Sequence, residues 1–162
     1  MKWLKQISAW QVVLAASMTL AVAATIFFSA LWGPVDFETG TITFPDGSVV
    51  PVEVADSPAE QRQGLMNREH MDPESGMLFV FSTPGIYVFW MKNTQVDLDF
   101  IWLSQGRVVD LRIQVPAGAG LPSDQIARIQ PSVTVDAVLE VPAGFVDRHQ
   151  IQMGDQLVYH LP

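Results

Sequence analysis

Short apolar runs separated by turn-forming residues make up most of the chain after position 35. Three runs, at 77–81, 87–91 and 98–103, follow one another closely and are rich in Phe, Trp, Val and Ile. Their length, composition and bounding turn residues favour buried strands over helices. The polar residues at 92–95 separate the second run from the third and predict a polar corner beside an aromatic wall. The side chains that we expect in the core are Leu78, Val80, Phe89, Trp90, Phe100, Trp102 and Leu139.

Alternating apolar and polar residues predict further strands along the rest of the chain. They lie at 41–44, 49–54, 108–115, 133–141 and 156–161. Asp46-Gly47 between the first two of these strands predicts a β-hairpin. No βαβ rhythm repeats, which argues against a doubly wound nucleotide-binding fold. The expected fold class is mainly β: a small antiparallel, partly closed β-barrel-like domain with one short helix.

The one predicted helix has a clear beginning in the sequence. Ser57 is its N-cap, Pro58 its first residue and Glu60 the partner that completes a capping box. Gly64 is expected to end this helix after a short run. A further helical turn is predicted within 145–151.

An uncharged segment, Gln6–Val35, precedes the β domain. Within it, Ala9–Leu31 is apolar and long enough to cross a bilayer, which takes roughly 20 residues. Lys2 and Lys5 precede this span, and positive charge at that place favours a cytoplasmic N-terminus. We therefore expect the remainder of the chain to be extracytoplasmic, either periplasmic or on the cell surface.

The sequence thus predicts two parts, an N-terminal membrane anchor or signal peptide at 1–35 and a β domain at 36–162. Ala21-Val22-Ala23 fits the small-x-small rule for signal-peptide cleavage. Residues 25–31 remain hydrophobic after that site, so cleavage would leave an apolar new N-terminus. This favours an uncleaved anchor in the cytoplasmic membrane, with secretion after cleavage as the alternative.

The β domain is acidic. Removing Lys2 and Lys5 leaves 7 basic residues against 17 acidic ones, a formal charge of −10. Nucleic acid binding requires a basic stripe that this composition lacks, so no nucleic acid partner is expected. The chain has no cysteine, which excludes disulfides, thiol catalysis and thiolate metal sites.

The polar corner is the first candidate site. Lys92, Asn93 and Thr94 offer a cation, an amide and a hydroxyl next to Trp90, a set suited to a ligand. The alternative role for Lys92 is a contact with an aromatic ring or a nearby carboxylate. The alternative role for Asn93 is that of a loop residue in the left-handed conformation.

Two carboxylates extend the candidate set. Asp97 and Asp99 are two residues apart in a predicted strand, so both side chains would share one face. Such a pair serves acid–base chemistry or holds a hard cation such as calcium. The simpler interpretation is two solvated charges at the entrance to a strand.

Two arginines lie on either side of the predicted helix end. Arg62 and Arg68 would either bind a carboxylate ligand or pair internally with Asp72 or Glu74. The internal pairing is the favoured interpretation.

A metal site is not expected, and neither is any other cofactor. His70, His149 and His160 are far apart and show no paired ligand spacing that would support copper(I) binding with methionine. Met77 and Met91 lie inside apolar runs and are assigned to the core. The three histidines are assigned to the surface.

Specific short motifs are spread along the β domain. They are Arg62–Met66 with Arg68, Gly76–Phe79, Phe89–Thr94 with Leu98 and Asp99, Gly106–Val108, Val138–Glu140 with Gly144, and Gly154 with Asp155. Over about 42–161, these motifs together make the chain resemble the domain-of-unknown-function 192 family (DUF192). The resemblance implies a compact β-rich fold, often behind a signal or membrane anchor, with no established activity. This chain departs from the family at Asp97, where the family usually has proline.

Two hypotheses from different classes follow. The first is a non-enzymatic, membrane-tethered binding module that holds an unknown small ligand or an envelope protein near the Trp90–Thr94 corner. The second is an enzyme, a hydrolase or lyase that uses Lys92 and Asp99. The absence of cysteine and of any triad motif favours the first, whereas convergence of Lys92 and a carboxylate in a concave pocket would favour the second.

Overall fold

The fold is described here from a computed structural model, which describes residues 35–162. In chain order its elements are β1 Glu38–Thr43, β2 Val49–Ala55, α1 Pro58–Gln63, β3 Gly76–Gly85, β4 Phe89–Trp90, β5 Leu98–Ser104, β6 Arg107–Val115, β7 Arg128–Ile129, β8 Val135–Pro142, α2 Phe145–Arg148 and β9 Val158–His160. The predicted anchor or signal peptide lies outside the described residues, apart from Val35. Within 35–162, neither helix has the length and apolar character that crossing a bilayer requires.

Seven strands form one curled sheet in the order β6-β5-β8-β3-β2-β1-β9, and β4 and β7 form a small separate sheet. Neighbouring strands run antiparallel except β2 and β3, which are parallel. The curl brings Arg107 at the start of β6 into a bridge with Gln156 before β9. Strands account for 45% of the structure, which confirms a mainly β fold, organised as a curled half-barrel with a short helix.

Local sequence signals set the first elements. The β1–β2 hairpin forms as predicted, because Gly47 adopts φ 85° and Asp46 accepts a hydrogen bond from the Ser48 backbone N–H at 2.8 Å. Helix α1 begins with the predicted capping box. The Glu60 backbone N–H donates to the Ser57 hydroxyl at 3.3 Å, and the Ser57 N–H donates to the Glu60 carboxylate at 2.8 Å.

The sheet buries apolar side chains on both faces. One cluster includes Leu78, Ile101 and Leu139 and is covered by α2. The other includes Met77 and Phe100 together with Phe79, Trp102 and Val138. Successive residues of a strand point to opposite faces, so each central strand contributes to both clusters.

The predicted core is confirmed for four of its seven members, which are Leu78, Phe100, Trp102 and Leu139. Val80 and Phe89 are only partly buried. The prediction was wrong for Trp90, whose exposed fraction is 44%. Along the segment that includes β4, Ile86, Val88 and Trp90 face outward while Tyr87 and Phe89 pack against the second cluster, so alternation sends Trp90 to the surface.

Candidate functional site

The Lys92-Asn93-Thr94 corner directly follows β4. Lys92 places its Nζ 4.9 Å from the centre of the Trp90 ring, which is the aromatic contact considered for it in the sequence. Asn93 has φ 53° in the left-handed region, and its carbonyl accepts a hydrogen bond from the Asn67 N–H at 2.8 Å. The corner is therefore fastened to the turn that follows α1.

Thr94 is the buried member of the corner, with an exposed fraction of 4%. Its backbone N–H donates to the Met91 carbonyl at 3.2 Å, and its carbonyl accepts from the N–H groups of Gly118 and Ala119 at 3.0 Å each. A Cβ at Gly118 would overlap the Met91 carbonyl, so only glycine allows this close approach. The loop around Gly118 thus locks Thr94 in place.

A small cavity of about 40 Å³ lies behind this corner. Its walls come from α1 and the following turn, from β3, β4 and β8, and from the corner itself. The lining residues are Gln61, Arg62, Gln63, Gly64, Leu65, Met66, Phe79, Phe89, Trp90, Thr94 and Glu140. The volume is enough for a few water molecules or for one small polar group of a ligand.

Glu140 is the most unusual residue in the cavity wall. It lies on β8 between Met77 of β3 and Phe100 of β5, and its exposed fraction is 6%. None of the described residues donates a hydrogen bond to its carboxyl group, and burial raises the pKa of Glu140 to about 8. The side chain is therefore mostly a neutral acid at pH 7.

Glu140 is not among the site residues predicted from the sequence. The available signal was a single acid among Val138, Leu139 and Val141, on a strand whose predicted alternation placed Glu140 opposite the apolar side. An ionisable residue at such a position costs free energy unless it is paired, which makes Glu140 a candidate site residue.

Asp97 and Asp99 do not line the cavity. Asp99 is fully buried and accepts hydrogen bonds from the backbone N–H groups of Gln114 at 2.8 Å and Val146 at 3.1 Å. Asp97 is exposed and accepts one from the Ala117 N–H at 2.7 Å. Asp99 thus joins β6 and α2 to the start of β5, and Asp97 joins the loop after β6 to it.

The two arginines have different surroundings. Arg62 lines the cavity from α1. Arg68 binds both carboxylate oxygens of Glu53, one of them at 3.0 Å, and its guanidinium lies 5.5 Å from the centre of the Phe37 ring. The predicted pairing of Arg68 with Asp72 or Glu74 is wrong, because β2 brings Glu53 to it from a distant part of the sequence.

Glu74 instead belongs to a cluster around His149. The His149 Nε2 lies 2.8 Å from the Glu74 carboxylate, and its Nδ1 lies 3.1 Å from Asp46. The ring stacks on Phe145 with 4.2 Å between the centres, and the side chain is only 11% exposed. The surface assignment of His149 is therefore wrong, since α2 and the β1–β2 turn enclose it, whereas His70 and His160 are exposed as predicted.

A second, larger groove of about 560 Å³ lies elsewhere, between the β5–β6 turn and β9. Its lining includes Asp136, Gln156 and Tyr159. The Tyr159 hydroxyl is buried without a hydrogen-bond partner, and burial together with the nearby Asp136 raises its pKa. None of the sequence-predicted site residues lines this groove.

Similar solved structures share this fold. A crystal structure of a candidate transcription regulator from Sinorhizobium meliloti 1021 is 31% identical, with a TM-score of 0.67 over 78% of this chain and 98% of that chain. A protein of unknown function from Novosphingobium aromaticivorans DSM 12444 is 30% identical, with a TM-score of 0.63 over 74% of this chain and 83% of that chain. No curated protein matches the chain.

The family comparison agrees with the motifs seen in the sequence. The model of the DUF192 family, described as Uncharacterized ACR, matches residues 41–159. This match includes the corner, α1 and Glu140, and covers well over half of the chain. The chain therefore belongs to the DUF192 family.

Proposed function

We propose that this protein is a membrane-tethered, extracytoplasmic binding module that holds a small ligand or an envelope protein at the Trp90–Thr94 corner. The observation that carries the proposal is the Glu140 carboxyl group, which lies in the cavity behind the corner without a donor from the described residues. A ligand that enters this cavity supplies the missing partner.

The energetics of Glu140 support this function. Burying a carboxyl group costs free energy through desolvation, and a central strand accepts many apolar residues at such a position. Removing water from a carboxyl group weakens stability but raises the strength of any hydrogen bond that a ligand makes with it. A ligand that donates a hydrogen bond to Glu140 therefore gains binding free energy from the same burial that destabilises the ligand-free protein.

The surroundings of the cavity also suit a binding site. Phe79, Phe89 and Leu65 give it apolar walls, and a few polar side chains converge among them, which is the usual makeup of ligand pockets. Trp90 lines the cavity and is 44% exposed, so its ring extends from the cavity wall to the surface. Exposed tryptophans are frequent anchors at binding surfaces.

The test is a thermal-stabilisation screen of the full-length protein in detergent. Small amines, carboxylic acids, sugars and fractions of a cell-envelope extract are added separately, because any ligand of the native state raises its melting temperature. The variant Glu140→Gln should lose the response to a hit, whereas the matched control Glu38→Gln, at an exposed position of β1, should keep it. A hit that stabilises all variants equally binds elsewhere and contradicts the proposed site.

An enzyme is the second candidate function, favoured by one observation. A carboxyl group with a pKa of about 8 is close to the neutral pH at which a general acid or base works best. In the enzyme hypothesis from the sequence, Asp99 had that role, but both its oxygens accept backbone hydrogen bonds, so Glu140 takes the role here. Conversion of a stabilising compound by the parent protein but not by Glu140→Gln would favour the enzyme.

A regulatory role in transcription is not part of the proposal. The description of the Sinorhizobium meliloti protein suggests one, but a β domain with 7 basic and 17 acidic residues repels DNA.

The proposed location rests on the uncharged segment at Gln6–Val35 and on the preceding Lys2 and Lys5. A reporter fused after Pro162 should be active only outside the cytoplasm. Activity confined to the cytoplasm contradicts the proposed topology, and the mass of the mature protein distinguishes an uncleaved anchor from a cleaved signal peptide.

A further inference from the structure

We infer that the group received by the cavity at Glu140 is a primary ammonium group on an unbranched alkyl chain, which pairs with the ionised Glu140 carboxylate. The inference rests on the proposed binding function and names the chemistry of its ligand. It follows from the size of the cavity, from the hydrogen-bonding capacity of its walls and from the charge of the domain.

The size of the cavity limits what enters it. A volume of about 40 Å³ holds a few heavy atoms at most, so rings, sugars and branched groups are excluded from the space next to Glu140. An ammonium group with its first methylene fits this space. The rest of an alkyl chain then extends past the aromatic rings of Phe89 and Trp90 toward the surface.

The neutral polar side chains of the wall donate hydrogen bonds to backbone carbonyls. Gln61 donates its amide to the Val80 carbonyl at 2.8 Å, and Gln63 donates to the Met66 carbonyl at 3.4 Å. The Thr94 hydroxyl faces the Lys92 carbonyl at 3.4 Å. The oxygen atoms of these three side chains remain as acceptors.

Next to Glu140, these three side chains offer acceptor oxygens, whereas the donors of Arg62 belong to an exposed side chain. A ligand with the opposite character is required, and a primary ammonium group has three donors and no acceptor. A ligand carboxylate or phosphate next to Glu140 would instead bring hydrogen-bond acceptors close to the acceptor oxygens of the carboxylate. The formal charge of −10 after the N-terminal segment also favours the approach of a cation.

Binding of the cation requires Glu140 to ionise. Without a bound cation the side chain keeps its proton at pH 7, because burial raises its pKa to about 8. An ammonium group favours the carboxylate, so the carboxyl proton leaves to solvent as the ligand binds while the ligand keeps its own protons. Binding at pH 7 should therefore release close to one proton per ligand.

The other charged groups near Glu140 do not pair with its carboxylate in place of the ligand. Arg62 is exposed and lines the cavity from α1, and Lys92 is held over the Trp90 ring. The Glu53–Arg68 pair lies beyond β3 and is internally neutral. The flanking strands β3 and β5 present Met77 and Phe100 beside Glu140, and neither is charged.

The inference is tested by calorimetric titration of the full-length protein in detergent with butylammonium chloride. Repeating the titration in buffers of different ionisation enthalpy measures the number of protons released. We expect close to one proton at pH 7 and an association constant that rises about tenfold between pH 6 and pH 7. Tetramethylammonium, which has no N–H donor and exceeds the cavity, should not bind.

Variants locate the binding. Glu140→Gln should weaken butylammonium binding at least about 100-fold, since the charge-assisted contact is lost, and Thr94→Val should weaken it several-fold. The control Glu38→Gln should bind like the parent. Unchanged far-ultraviolet circular dichroism in each variant separates loss of binding from loss of folding.

Three outcomes overturn the inference and differ in what they say of the proposed function. Butylammonium binding that is equal in Glu140→Gln contradicts the amine site. No amine binding, with another class of compound stabilising the protein through Glu140, contradicts the amine chemistry but keeps the binding function. No compound acting through Glu140 contradicts both. Titration with Nα-acetyl-lysine amide shows whether a lysine side chain of an envelope protein is accepted as well as a free amine.

Discussion

The Asp99 carboxylate accepts a hydrogen bond from the Val146 backbone N–H at 3.1 Å, which joins β5 to the first turn of α2 across 47 residues of sequence. Its other oxygen accepts the Gln114 N–H at 2.8 Å, where Gln114 has φ 53° and the β6 register is irregular. One buried side chain therefore fixes an irregular part of β6 and the first turn of α2. This makes Asp99 a residue of the scaffold.

Asp99→Ala should lower the free energy of unfolding by about 3 kcal/mol, because it leaves two backbone donors without their charged acceptor. Asp97→Ala is the matched control, since the Asp97 side chain is exposed and accepts only the Ala117 N–H, and it should cost no more than about 1 kcal/mol. Urea unfolding curves measure both values. Equal losses in the two variants would show that burial of Asp99 is energetically irrelevant.

Phe100 is fully buried on β5 and packs against the rings of Phe89 and Trp102, with 5.9 Å between centres in each case. Truncation to alanine should lower the free energy of unfolding by about 3–5 kcal/mol through lost burial and a residual cavity. Val88→Ala, at a position that is 60% exposed, should change it by less than about 0.5 kcal/mol. A loss below about 1 kcal/mol for Phe100→Ala contradicts the packing described for this face.

Local sequence signals predict the elements whose hydrogen bonds join residues only a few positions apart. Asp46-Gly47 and the Ser57–Glu60 capping box specify their own geometry, so the hairpin and α1 were predicted correctly. Phe100 belongs to an apolar run and Leu139 to the apolar side of an alternating strand, so both are predicted in the core, and the structure confirms this.

Features that depend on distant segments could not be predicted in this way. Trp90 appeared to be a core residue from its type, but its exposure depends on which face of the Ile86–Trp90 segment meets the sheet. Arg68 meets Glu53 only because β2 and β3 pair in parallel. Glu140 belongs to one of the family motifs, but the sequence does not show that its carboxyl group has no hydrogen-bond donor among the described residues. That depends on how α1 and the corner pack around it.

Removing the buried Tyr159 hydroxyl should not lower the free energy of unfolding, whereas most truncations of buried side chains do. It has no hydrogen-bond partner among the described residues, so it contributes a desolvation cost without a compensating bond. Tyr159→Phe should leave the free energy of unfolding unchanged or raise it by up to about 1 kcal/mol. A clear loss of stability in a urea titration would show that the hydroxyl is hydrogen bonded in solution.

Asp46 should contribute to stability in a defined acidic range. Hydrogen bonds from Ser48 and then from His149 lower the pKa of Asp46 from 3.8 to about 2 in the folded protein. A lowered folded pKa gives stability that is present above pH 3.8 and lost as the pH falls to about 2. Asp46→Asn keeps a hairpin-forming Asn-Gly pair but does not titrate, so the stability difference between parent and variant should shrink over that range.

Urea unfolding of the parent and of Asp46→Asn at several pH values between 5 and about 2 checks this prediction. The half-exposed carboxylate is screened by solvent, so the direction of the change is the measured outcome. A difference that stays constant through this range would mean that Asp46 does not gain its hydrogen bonds on folding.

Glu140 should produce the reverse dependence at higher pH. Its pKa is 4.5 when exposed and about 8 in the folded protein, because burial disfavours the charged form. Between these values the folded state holds a proton that the unfolded state has released, so raising the pH favours unfolding. The contribution of Glu140 is fully present below pH 4.5 and is lost as the pH rises to about 8.

The slope expected from this one group is about 1.4 kcal/mol of lost stability per pH unit within that window. Glu140→Gln removes the titrating proton while keeping nearly the same volume, so the variant should lose this slope and exceed the parent in stability at pH 8. Urea unfolding of both proteins from pH 5 to pH 9, with Glu38→Gln as the exposed control, measures the difference directly. Identical pH slopes for the parent and Glu140→Gln would mean that the carboxyl group is hydrated or paired in the empty protein, which would remove the basis for a ligand-dependent partner at this site.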